Sequence, residues 1–347
     1  MKKVWLGMVL FSALSLLHAQ DAEQSPAAAL IQRGIYAHDQ GDYAAAVEYY
    51  KQALKLEPDS PLIYYEMAFS YAYDGKYAES LASADAGIKA ARGDEQYLAA
   101  LYDAKGSALD NLGRPEEAIT VFTEAIRRFG AASLLFYNLG ITYYKLERYN
   151  EALDTLTEGV FNNPYHASGN YLLGKMLFDQ NRKAQSLLCL YHFLLLEPYS
   201  RRSGEAYGMI QQLLTVDVSG GEGTISLTPG SFTALDLLIS MAGTLDSAEE
   251  NKGKSGEELF LQKTSYVFTG LEELAGAGVL SGGDEAEKLW RDFYIPFFAQ
   301  LARKPDYLEI FCRYISMSRS EEAEAWLEQR REKVESFFNW LNKRDER

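Results

Sequence analysis

The chain has 347 residues, is 47% hydrophobic and carries a formal charge of −15 at pH 7. So large an acidic excess repels phosphate backbones and anionic headgroups, which argues against nucleic acid as a partner. The two cysteines, Cys189 and Cys312, each sit in an apolar run (Leu188 and Leu190 beside one, Ile310 and Phe311 beside the other). They read as buried, unpaired thiols, not as a bridge.

Residues 1–19 come first. Lys2 and Lys3 precede an apolar run over 4–17, and Leu17, His18 and Ala19 offer a small residue for cleavage. This is the layout of a secretory signal peptide. The run is about 14 residues, short of the ~20 that span a bilayer. The expectation is an exported chain, bacterial and periplasmic, with secretion as the second possibility. No Cys follows the cut, so a lipid anchor is not expected. The longest later apolar run, 187–196, is also too short to span and contains His192. No membrane segment is expected in the mature chain.

From residue 27 a repeat begins. Gly34, Ala68, Gly106, Gly140 and Gly174 recur at intervals of 34, 38, 34 and 34, and Ala46, Ser80, Ala118, Ala152 and Ser186 each follow by 12. Pro58, Pro164 and Pro198 close three of the units. In the first unit Leu30, Gly34 and Ala37 share one helix face. Gly41 and Asp42 break that helix. Ala46, Tyr50 and Ala53 mark the inner face of a second, which Pro58 stops. The small residues fall where the two helices of a hairpin cross, and Tyr50 fills the wedge that opens beyond them. Tyr43, Tyr77 and Tyr149 recur at the start of the second helix.

With these residues the chain resembles the tetratricopeptide repeat family, whose signature is an aromatic, then Leu-Gly, then Tyr, Ala, Phe and Pro at fixed offsets. Repeats fall at about 27–60, 61–94, 99–132, 133–166 and 167–200, with a partial helix at 201–215. Repeat four is nearest to consensus, with Phe136, Leu139, Gly140, Tyr143, Tyr149, Ala152 and Pro164. Repeat two ends in Arg92 and Gly93 instead of Pro, and the extra residues before repeat three predict a longer second helix or a wider turn. Lys105 replaces the usual Leu, and Asn170 stands where repeat four has Phe136.

The resemblance implies an all-α fold, a right-handed solenoid whose first helices line a concave groove. It places Ile31 and Ile35 there from repeat one, then Tyr65, Phe69 and the adjacent Tyr73, then Asp103 and Asp110. Tyr137, Ile141 and Tyr144 follow from repeat four, and Tyr171, Lys175 and Phe178 from repeat five. His38 falls on the same wall. Some members grip a C-terminal carboxylate with Lys, Asn and Arg; Ile31, Ile35, Tyr65, Phe69 and Asp103 occupy most of the comparable positions, so that clamp is not expected. An aromatic wall suits apolar side chains of a protein or peptide partner. It would also stack on sugar rings, which leaves a glycan or peptidoglycan fragment as the alternative ligand. The wall could equally be internal packing.

After 215 the repeat stops. Residues 216–230 are Gly-rich, a linker or small hairpin, and lack the Lys-Ser/Thr of a phosphate loop. The remainder, 231–347, reads as a helical region with helices at about 231–246, 256–275, 284–302 and 305–317. A last helix follows, capped by Ser318, Arg319, Ser320 and Glu321. Its many aromatics read as a helical core that caps the solenoid. No His-Glu metal spacing, no Gly-x-Ser-x-Gly element and no His partner for either Cys is present. No metal or other cofactor is expected. The reading is a non-enzymatic interaction scaffold or adaptor of the cell envelope, with an enzyme site in the C-terminal region as the lowest alternative.

Overall fold

A computed structural model describes residues 25–92, 96–130, 132–215, 232–280 and 287–345. The expected signal peptide and the Gly-rich stretch 216–230 lie outside the described residues. The fold is the expected all-α repeat solenoid. Five helical hairpins come in order: α1 (Pro26–Asp39) with α2 (Tyr43–Leu56), α3 (Pro61–Tyr73) with α4 (Tyr77–Ala91), α5 (Leu98–Asn111) with α6 (Pro115–Phe129), α7 (Ser133–Lys145) with α8 (Tyr149–Asn162), and α9 (Ala167–Asp179) with α10 (Lys183–Leu196). A single helix, α11 (Arg201–Leu213), follows.

Local chemistry sets these boundaries. Ser25 caps α1 by accepting from the Ala28 amide, and Asp42 caps α2 through the Ala45 amide. Pro26, Pro61 and Pro115 open their helices where no amide donor is needed. The turn inside each hairpin needs one residue in the left-handed region. Gly41, Gly75 and Gly113 supply it in repeats one to three at φ of 79°, 72° and 73°, whereas Glu147 and Asn181 adopt it at 60° and 57° in repeats four and five. The departure after repeat two resolves as a turn: α4 ends at Ala91, and Arg92 leaves it with a left-handed backbone.

The chain divides into two compact units, Met1–Gly130 and Ala131–Arg347. The division lies between repeats three and four, not at the Gly-rich stretch expected to part solenoid from C-terminal region. The reason is α10: Ala184 through Leu195 are all buried. Repeat neighbours cover one side, and the C-terminal helices α12 (Thr233–Gly243) and α15 (Pro305–Ser316) pack on another. Repeats four and five therefore share one core with the C-terminal helices.

That region departs from expectation in detail. α12 ends at Gly243 and continues as two short 3-10 turns. α13 (Gly256–Gly276) begins at a full capping box of Ser255 and Glu258. The stretch expected as one helix over 284–302 holds, among its described residues, a π-type turn at Trp290–Tyr294 directly before α14 (Ile295–Ala302). Pro296 has no amide to donate backwards, and a wider turn before it relieves that loss. The last expected helix is two, α16 (Glu321–Glu328) and α17 (Arg331–Asp345). Its cap is Ser320, which accepts from the Ala323 amide, not a box opened by Ser318. Between them Arg330 lies 4.2 Å over the Trp326 ring and donates to the Trp326 carbonyl. Both cysteines are free and buried.

Candidate partner-binding face

The frame of each hairpin is a contact between the small residue of the first helix and a large one of the second. A Cβ on Gly34 would lie 2.3 Å from the Tyr50 ring; on Gly106, 2.5 Å from Phe122; on Gly140, 2.7 Å from Leu156; on Gly174, 2.9 Å from Leu190. Glycine lets each ring or branched side chain rest directly on backbone. The paired small residue twelve positions on is Ala in three repeats. Where it is Ser, the hydroxyl bonds the facing backbone: Ser80 Oγ donates to the Ala68 carbonyl and Ser186 Oγ to the Gly174 carbonyl, both at 2.8 Å. A hydroxyl buried at the crossing would cost stability unless paired, and the repeat geometry supplies its acceptor.

This frame turns a row of aromatic rings outward on repeats one and two. His38 stacks on Phe69 at 4.9 Å and meets Tyr43 and Tyr73 edge-on, each at 5.1 Å. Phe69 contacts Tyr65 at 6.0 Å and Tyr73 at 4.8 Å, and Tyr43 lies 5.7 Å from Tyr73. The rings form one continuous ridge across α1, α2 and α3. Phe69 and Tyr73 remain 36% and 60% exposed. Offset and edge-on pairs of this kind hold rings rigid and keep their faces available. His38 Nδ1 lies 2.9 Å from Ser70 Oγ, which fixes the imidazole from behind.

The electrostatics beneath the ridge are one-sided. Burial pushes the His38 pKa below the ordinary imidazole value, against the opposing charge of Asp39. Burial raises the Glu66 carboxyl, with Asp39 adding to the effect and Tyr50 opposing it. The Tyr50 phenol is pushed up by burial and by Glu66. Its hydroxyl is buried beside Glu66 and Ser70.

The expected groove residues separate into three groups. Ile31 belongs to the core: it is 7% exposed and packs with Val47, Tyr50 and Ile63, so it is not available to a partner. The sixth residue of α1 faces the hairpin partner here, not the open side. Tyr65, Phe69 and Tyr73 are brought together in the ridge, and Ile35 is half-buried on α1. Asp103 and Asp110 are half-buried on α5, two helical turns apart, about 10 Å along the axis.

The third group lies in the second unit. Tyr137, Ile141, Tyr144, Tyr171, Lys175 and Phe178 are half-buried on α7 and α9, and most are engaged by neighbouring repeat residues. Tyr137 meets His166 at 5.2 Å and Tyr144 meets Tyr149 at 5.7 Å. The Tyr171 hydroxyl donates to Glu205 at 2.6 Å, and Lys175 pairs with Asp179 at 2.7 Å. Among the described residues, no hydrogen bond, ion pair or ring contact joins these six to the C-terminal helices. Those helices attach to α9, α10 and α11 through other residues.

The attachment centres on Asn170, fully buried. Its Nδ2 donates to the carbonyls of Pro164 (2.7 Å) and His166 (3.0 Å). Carbonyls only accept, so the amide orientation is fixed and Oδ1 faces the other way. There it accepts from the Tyr294 hydroxyl and from His192 Nδ1 at 3.1 Å, which requires the His192 proton on Nδ1. Phe293, Tyr294 and Phe297 surround the His192 ring. Asp236 of α12 accepts from the Ala184 amide at 2.8 Å and so caps α10 from another element. Sequence reasoning noted Asn170 as a departure without assigning it a role. The missed signal is the pairing of a polar residue at an aromatic repeat position with a helix, α10, that is apolar on every side.

The family comparisons agree with this geometry. Residues 37–82 match the TPR repeat, and 104–156 and 137–188 match the tetratricopeptide repeat. The helical hairpins of residues 37–82 and 104–188 are therefore tetratricopeptide repeats. No curated protein matches it in sequence. Among solved structures, a thermophilic TPR protein of Thermus thermophilus is 18% identical at a TM-score of 0.46, over 53% of this chain and 99% of that one. PilF of Pseudomonas aeruginosa is 14% identical at 0.42, over 77% of this chain and 96% of its own. The type IV pilus biogenesis factor PilW is 16% identical at 0.44, over 54% and 91%. Among the described residues no helix is long and apolar enough to cross a membrane.

Proposed function

We propose that the protein is an adaptor of the cell envelope that binds a partner protein through the aromatic ridge of repeats one and two. The single observation behind this reading is the ridge itself, in which five rings touch in sequence while Phe69 and Tyr73 stay open. Rigid aromatic surface loses little conformational entropy on binding and buries large apolar area, which is why Tyr and Phe anchor interfaces. The export signal read at residues 1–19 supports the envelope location. The half-buried wall of α7 and α9 is a secondary contact, since its Tyr171 hydroxyl and Lys175 ammonium already bond Glu205 and Asp179.

The test uses the full chain carrying a photo-crosslinking amino acid at Tyr73, with Leu56 as an exposed control position. A discrete protein adduct at Tyr73 and not at Leu56, with binding of that purified protein lost in Phe69→Ala, carries the proposal. Equal adducts at both positions would sink it. Tyr-dependent binding of purified peptidoglycan fragments, with no protein adduct, would move the assignment to the glycan reading.

A further inference from the structure

We infer that the ridge takes a basic side chain, so that the partner segment presents a Lys or Arg beside its apolar anchors. This rests on the reading of the ridge as the partner face and states the chemistry of its ligand.

Two independent features carry it. The first is charge. The ionisable groups acting on His38, Tyr50, Tyr65 and Glu66 are the carboxylates Asp39, Glu66 and Asp103 and the phenols of Tyr50 and Tyr73; no Lys or Arg is among them. Four other acids of the same unit carry ion pairs, Glu48 with Lys51, Asp59 with Arg92, Asp74 with Lys76 and Asp85 with Lys105. Among the described residues Asp42, Glu57, Glu79 and Glu124 stand without one, like Asp39 and Glu66. The buried Tyr50 hydroxyl faces Glu66 and Ser70 in the same cluster.

The second feature is the rings. Elsewhere the protein covers aromatic faces with its own cations, as Arg148 lies 4.6 Å from Tyr143, Lys288 4.6 Å from Phe161 and Arg330 4.2 Å from Trp326. No Lys or Arg of the described chain lies over Tyr43, Tyr65, Phe69 or Tyr73. An aromatic face attracts a cation through its quadrupole, and carboxylates behind it add to that attraction. A cationic side chain is the one group that satisfies both at once; an acidic segment would be repelled, and a purely apolar one would leave Asp39 and Glu66 uncompensated.

The test is selection of a displayed random dodecapeptide library on the immobilised full chain. Three forms are compared: the wild type, Phe69→Ala with Tyr73→Ala, and Asp39→Asn with Glu66→Gln. The expected result is recovery that depends on Phe69 and Tyr73, with Lys or Arg enriched next to Leu or aromatic residues. That basic enrichment falls by about fivefold in the amide variant, the scale of an exposed ion pair. Ridge-dependent recovery without basic enrichment overturns the inference and leaves the ridge standing. Basic enrichment unchanged in the amide variant also overturns it, because the general acidity of the chain would then be the cause. Recovery independent of Phe69 and Tyr73 removes the ridge and the inference together. If the double amide variant loses its helical circular dichroism, Asp39→Asn alone, at an exposed position, serves the same comparison.

Discussion

Repeat one and repeat five are built on one frame and put to opposite uses. In each, a glycine of the first helix lies against a large side chain of the second, Tyr50 on Gly34 and Leu190 on Gly174. In repeat one, α2 buries one stripe, Ala46, Val47, Tyr50 and Ala53, and its Tyr43 joins His38 of α1 and the rings of α3 in the outward ridge. In repeat five, α10 is buried almost throughout and serves as the central post of a larger helical core. The signature residues decide how a hairpin closes. The residues between them decide whether its remaining surface stays open for a partner or is covered by the same chain.

The strongest test of this contrast is Asn170→Phe, which restores the aromatic that repeat four carries as Phe136. If repeat five is specialised as an anchor, the consensus residue is harmful there: it removes the acceptor of Tyr294 and His192 and adds volume to a closed core. A loss of about 3 kcal/mol or more is expected, read as faster hydrogen exchange in α9, α10 and α14. Unchanged exchange would mean the polar hub is incidental. Gly34→Ala probes the shared frame in repeat one. Its Cβ would meet the Tyr50 ring, and a cost of about 1–3 kcal/mol is expected in exchange of α1 and α2.

Glu147→Gly has the opposite sign. It places glycine at the left-handed position that repeats one to three already fill with glycine, so a gain of about 1 kcal/mol in the melting of repeat four is expected. No gain would show that Glu147 holds its turn by something beyond backbone conformation. The pH response is smaller. The folded pKa of His38 is depressed, so between that value and the unfolded one, near 6.5, the unfolded chain binds more protons. The contribution of neutral His38 is complete above the unfolded value and is lost as pH falls through the window. Thermal melting at pH 5.5 and 7.5 should show a smaller pH difference in His38→Gln than in the wild type. The least change in stability is expected for Tyr73→Ala, within about 0.5 kcal/mol, because the ring is largely exposed. Its effect should fall on partner binding alone. A large loss of stability would reclassify the ridge as packing.

Much of the fold was legible in the sequence. The period of Gly34, Gly106, Gly140 and Gly174 located the hairpins, because close helix crossing tolerates no side chain at those positions and each repeat meets that constraint locally. Part of the ridge was legible for the same reason: Tyr65, Phe69 and Tyr73 share a face by helical spacing. The outward role of Ile31 was not, since one position of angular error on a helix exchanges a groove for a core. The C-terminal helices were visible as apolar segments, but the break between α16 and α17 and the π-type turn before Pro296 depend on contacts made after packing.

What the sequence by itself determined is the repeat: its spacing, its small-to-large contact and its aromatic richness, all properties of residues within about 34 positions of one another. What only the tertiary structure decided is the allocation of surface. Asn170 meets Tyr294 across 124 residues, and Ala184 receives its cap from Asp236 across 52. Such pairings carry no local signature, because a buried polar group needs only an acceptor or donor at the right point in space. They join the C-terminal helices to repeat five, and within the first unit the rings of repeats one and two remain open to solvent.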